Sequence, residues 1–113
     1  MANYRFEVMK QVQSGCSGTL CVETSEQFGV VRMLHWTFYP KGSAQALHGR
    51  GHGSTSGAML VLTGENGQEW ARLLQCEPHE MRAGVSYTLQ SAAGQDVATL
   101  VQSPAAHNYR FAA

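Results

Sequence analysis

The residues whose types and spacing could do chemistry are concentrated in the run Leu47-His48-Gly49-Arg50-Gly51-His52-Gly53-Ser54. In an extended chain alternate side chains share a face, so His48, Arg50 and His52 would stand at intervals of about 7 Å on one side, and Gly49 and Gly51 would leave the other side bare. A guanidinium flanked by two imidazoles can grip a carboxylate or another anion. Arginine gives the bidentate contact, and each imidazole adds a donor when protonated. The bare side would let another backbone, or a ring such as that of Trp36, come close. A solvated Gly-rich loop is the competing reading, and composition does not separate strand from loop over 47–54.

Other candidate centres are weaker. His48 and His52 have the i,i+4 spacing of helical metal ligands, but the spacer Gly-Arg-Gly is a poor helix former and the zincin glutamate is missing. Cys16, Cys21 and Cys76 include no Cys-x2-Cys pair, so buried free thiols are expected, with neither a metal nor another cofactor. Gly53-Ser54-Thr55-Ser56-Gly57 places Thr where a nucleophile elbow requires Ser. Glu77-Pro78-His79-Glu80 sets carboxylates beside an imidazole without the apolar cover that tunes such groups for acid–base work. His35, next to Trp36 in an apolar run, reads as a hydrogen-bonded core residue. Trp36, Tyr39, Trp70 and Tyr87 could form a platform for sugar rings, because aromatic faces cover the apolar side of a hexose; ordinary core packing is the alternative. The ligand-binding candidates are therefore His48, Arg50, His52, Trp36, Tyr39 and Trp70, and no residue stands out as catalytic.

The elements that must position these residues are strands. Tyr4, Phe6, Val8 and Val12 alternate with Arg5, Glu7, Gln11 and Gln13, the signature of a half-buried strand. Ser14 to Gly18 reads as a turn into a second strand, Thr19 to Thr24. From Val30 to Tyr39 both faces are largely apolar, with Val30, Leu34, Trp36 and Phe38 on one and Val31, Met33 and Tyr39 on the other, as in a strand covered on two sides. Pro40-Lys41-Gly42 should reverse the chain, and Ala44 to His52 would return as its partner. Asn66-Gly67 between Met59–Thr63 and Gln68–Cys76 is a strong hairpin signal, and Ser91 to Gly94 divides a second hairpin ending in Val97–Gln102. Glu77 to Ala83 could make one helical turn.

Two internal similarities accompany this pattern. Gly57–Gln75 and Gly84–Gln102 align without gaps, matching at Leu62/Leu89, Gly67/Gly94, Gln68/Gln95, Ala71/Ala98 and Leu73/Leu100. Asn3-Tyr4-Arg5-Phe6 returns as Asn108-Tyr109-Arg110-Phe111. Eight or nine short strands in one domain over residues 1–113 predict an all-β fold, first a small antiparallel β-sandwich and second a closed up-and-down β-barrel.

Composition narrows the function classes. Charged residues make up 14% of the 113 residues and the formal net charge is zero, so no long-range field would gather nucleic acid or an anionic bilayer. Arg outnumbers Lys, of which there are Lys10 and Lys41 alone, and Asp96 is the sole aspartate. That usage suits a covered protein surface, or reflects codon bias. No stretch approaches the roughly 20 apolar residues of a membrane helix, and Met1–Lys10 lacks the apolar run of a Sec signal. Synthesis in the cytoplasm is expected, with release by lysis or a non-Sec route left open. The leading expectation is a non-enzymatic recognition or assembly module, partnered by itself as a homo-oligomer or by another protein, of the virion-associated, effector or inhibitor type. A lectin-like glycan binder is the second reading and a small His-dependent hydrolase the third.

Overall fold

Period-2 alternation forces one face of each segment inward, and neighbouring segments short enough to be joined by tight turns pair as hairpins. A computed structural model of the chain, which describes residues 3–13, 17–42, 45–54, 59–75 and 86–103, contains eight such strands. They are β1 (Asn3–Gln11), β2 (Gly18–Phe28), β3 (Val31–Pro40), β4 (Leu47–Ser54), β5 (Met59–Gly64), β6 (Glu69–Gln75), β7 (Ser86–Ser91) and β8 (Asp96–Gln102). Each pairs antiparallel with the next, and β1 pairs antiparallel with β8, for example Val8 with Leu100. The sheet therefore closes on itself as an up-and-down barrel.

The sandwich expectation is corrected to its alternative. Closure through β1 and β8 removes both edges, so the inward faces line a single lumen instead of two facing layers. An eight-stranded barrel is just wide enough for side chains to fill. Phe6, Leu20, Val22, Leu34, Trp36, Leu60, Leu62, Leu73, Tyr87 and Leu100 do so, and all are essentially inaccessible to solvent. Phe6 and Tyr87 meet edge to face at 4.9 Å.

The strand expected to be covered on both sides is β3, and it is covered on one. Leu34, Trp36 and Phe38 point inward, but Val30 belongs to the turn after β2 and is 74% exposed. Arg32 takes the inward position instead, its guanidinium 5.4 Å from the centre of the Tyr4 ring. The outer side of β3 carries Val31, Met33, His35 and Tyr39, all exposed, so His35 is a surface residue and not the core histidine expected. Val12 also departs from expectation. A register shift between Val8 and Lys10 breaks the alternation, and the strand ends before Val12, which is exposed.

The internal similarity of β5–β6 and β7–β8 extends to their turns. Gly67 donates its N–H to Gly64 O at 3.0 Å and Gly94 to Ser91 O at 2.8 Å; Gly64 donates to Gln68 O and Ser91 to Gln95 O, both at 2.8 Å. Gly67 and Gly94 have φ of 82° and 84°, and the register shifts lie at Leu62/Thr63 and Leu89/Gln90, equivalent positions in the alignment. Both are three-residue connections in which the left-handed residue is glycine. Cys16, Cys76, the Glu77–Glu80 cluster, the helical turn at 77–83, most of the elbow-like 53–57 run and the Asn108–Phe111 repeat lie outside the described residues.

Candidate functional site

The Gly-His-Arg run is a strand, β4, paired with β3 on one side and β5 on the other. Its parity is set by β3: Trp36 pairs with Gly49, Leu34 with Gly51 and Arg32 with Gly53, so three large inward side chains meet three glycines. A Cβ on Gly49 would overlap the Thr63 carbonyl oxygen and come within 3.0 Å of Trp36 Nε1; one on Gly51 would overlap Val61 O. The backbone of β4 thus lies where a side chain would have to be. The Trp36 indole N–H uses this space, donating to Thr63 O at 2.9 Å and Arg50 O at 3.1 Å. Its ring stacks on Trp70, with centroids 4.5 Å apart and planes 14° apart.

With glycine inside, the chemistry of β4 is outside. His48, Arg50 and His52 project outward, and pairing extends their row across the sheet. His35 of β3 stands directly opposite Arg50, with Glu23 of β2 beyond it, and Thr63 of β5 lies on the other flank of Arg50. His48 Nε2 is 2.7 Å from Glu65 Oε1, an ion pair whenever the imidazole is protonated. Arg72 binds Glu69 through two bonds, of 2.8 and 3.1 Å. That contact, chiefly the hydrogen bond, holds the Glu69 carboxyl below its ordinary range, and nearby His52 adds to the effect. Arg5 is occupied by Glu7, which also accepts from the Thr19 hydroxyl at 2.7 Å. The side chains of Arg50 and His35, by contrast, make no hydrogen bond or ion pair with the described residues.

These two groups line a depression of about 580 Å³ with His48, Thr63, Gly64 and Glu65. A smaller one of about 280 Å³ lies on the other side of His35, against Tyr4, Cys21, Glu23 and Tyr39. Burial pushes the Cys21 thiol up, outweighing the pull of Arg5, so it is a poor nucleophile at neutral pH. A third depression, about 410 Å³, opens at the barrel end between Leu47, His48, Glu65, Asn66 and the rings of Trp36 and Trp70.

The six residues singled out in the sequence therefore divide. His48, Arg50 and His52 share one outer face with Tyr39, whereas Trp36 and Trp70 belong to the interior and its mouth. Tyr87 is fully buried, its hydroxyl 3.4 Å from both Gln75 and Gln102, and burial raises its pKa to about 12. Trp36, Trp70 and Tyr87 pack in or against the core while Tyr39 is exposed outside, so the four aromatics do not share the single face that a sugar platform would need. Sequence reasoning missed His35 and Thr63, which only the registers β3–β4 and β4–β5 bring beside Arg50. It also missed an apolar tip: Phe28 and Val30, 61% and 74% exposed, flank Gly29 at φ 60° in the β2–β3 turn. The signal was Gly29 between two apolar residues.

Among the described residues no group of three or more His, Cys, Asp or Glu is placed to hold a metal ion, and no helix is long and apolar enough to cross a membrane. Comparison with protein families, with curated proteins and with solved structures found no match.

Proposed function

We propose that this chain is a non-enzymatic recognition and assembly module that associates with a second copy of itself through the outer face of β3 and the adjoining β2–β3 tip. The observation that carries the reading is the cluster of exposed apolar side chains there: Phe28, Val30, Val31 and Met33, with Met59 of β5 toward the same barrel end. Val31 pairs with Phe28 on one side and with Ser54, beside the start of β5, on the other. An apolar area of this kind on a small domain marks an interaction surface.

A second copy is favoured by charge. The same outer face carries acids, Glu23 and Glu26, alongside His35, Arg50 and His52, so two copies related by a twofold axis can set each sign against its opposite. Arg, Met and Tyr on the face, with Lys absent from it, agree with the composition of interface cores.

Size-exclusion chromatography with light scattering over a concentration series tests this. The wild-type chain should elute as a defined oligomer, and Phe28→Ser combined with Val30→Ser should yield a folded monomer. A wild-type chain that stays monomeric at the highest concentration would end the assembly reading.

A further inference from the structure

The depression beside Arg50 and the one at the barrel mouth have a wall in common. Both are lined by His48, Gly64 and Glu65. That shared wall carries the exposed His48–Glu65 pair, 2.7 Å apart, so a ligand spanning both depressions lies over it. One end presents the unengaged guanidinium of Arg50, with His35 opposite and the Thr63 hydroxyl beside it. The other end presents Leu47 and the partly exposed ring of Trp70, which stacks on buried Trp36. Volumes of about 580 and 410 Å³ each fall within the range of small-molecule sites.

We propose that these two adjoining depressions together bind a small amphipathic monocarboxylate, its carboxylate held by Arg50 and His35 and its apolar body lying over the rim against Leu47 and Trp70. A planar guanidinium with both edges available selects a carboxylate by two parallel hydrogen bonds. Glu23 beyond His35 and Glu65 on the shared wall add negative charge, which favours a monoanion over a phosphate dianion. The apolar end discriminates in turn against acids without a hydrophobic body. The free acid and the C-terminal residue of a peptide share this chemistry. Arg50 and His35 lie on the same outer face as the proposed self-association surface, but the binding chemistry inferred for them needs only one copy of the chain.

Titration of the full-length chain with 3-phenylpropionate, followed by the indole N–H signals in NMR spectra, tests it. The acid should bind at least about tenfold more tightly than 3-phenylpropanamide, acetate or inorganic phosphate. Arg50→Gln should abolish the preference for acid over amide, and Leu47→Ser, at an exposed rim position, should weaken phenylpropionate while leaving acetate unchanged. A short peptide ending in phenylalanine with a free carboxylate identifies the source: tighter binding than phenylpropionate assigns the site to a chain terminus, weaker binding to a free acid. Equal affinity for acid and amide, or wild-type affinity in a folded Arg50→Gln variant, would overturn the proposal. Light scattering on the same samples keeps the outcomes apart, since a monomer that binds the acid refutes assembly and not the site.

Discussion

The hairpins β3–β4 and β7–β8 solve the same packing problem in opposite ways. In β7–β8 the inward pairs are balanced, Leu89 against Ala98 and Tyr87 against Leu100, so both strands contribute side chains to the core. In β3–β4 one strand fills the middle of the hairpin: Leu34 and Trp36 reach inward while the facing residues of β4 are glycine, and β4 has a side chain of that parity only at its end, Leu47. The difference teaches where selection of residue type can act. Between Gly49 and Gly53 β4 contributes backbone and space to the fold instead of inward side chains, so the outward residues there can be chosen for chemistry alone. In β4 the fold resides in the glycines, and the exposed polar groups are His48, Arg50 and His52. In β7–β8 no such separation exists, because the inward side chains of both strands make the core.

The largest effect should come from filling β4. Gly51→Ala places a Cβ against the Val61 carbonyl and within 3.0 Å of Leu34 Cδ1. Neither strand can yield without disturbing a ladder, so a loss of about 3 kcal/mol or more is expected in urea denaturation. Next is Trp36→Phe, which keeps a ring but removes the N–H bonded to Arg50 O and Thr63 O. Unsatisfied carbonyls and the smaller ring together should cost about 2 kcal/mol.

The β7–β8 side of the comparison gives a pH signature. Tyr87 has a folded pKa of about 12 against an ordinary 10.0. Between these values the unfolded chain releases the phenolic proton first, so folding loses stability as pH rises, by up to about 1.4 kcal/mol per unit, and shows no contribution below pH 10 from this group. Denaturation curves from pH 8 to 11, compared with Tyr87→Phe, isolate the slope. The smallest of these effects tests the repeat. Gly67→Ala and Gly94→Ala meet open space but must hold φ of 82° and 84°, so each should cost about 1 kcal/mol, and the two costs should agree.

Much of this was legible because alternation is a local property. The face shared by His48, Arg50 and His52, the bareness opposite, and the approach of Trp36 follow from period 2 once the segment is a strand. The equivalence of Gly67 and Gly94 was visible in the aligned hairpins. Barrel closure was not, since consecutive hairpins are common to a sandwich and a barrel, and the β1–β8 pairing joins residues nearly a chain length apart. The position of His35 failed for a related reason. Its parity with Val31 and Met33 was readable, but whether anything covers that side of β3 is a property of the whole sheet. The partners of Arg50 were out of reach likewise, because they depend on register across three strands.

The division of labour within β4 is tested most directly by urea denaturation of the triple variant His48→Ser, Arg50→Ser, His52→Ser beside Gly51→Ala. The triple variant should retain wild-type stability to within about 1 kcal/mol, because exposed substitutions away from packed groups cost little, while the single methyl on Gly51 destabilises by about 3 kcal/mol or more. A triple variant that unfolds, or a Gly51→Ala chain as stable as the wild type, would contradict the account.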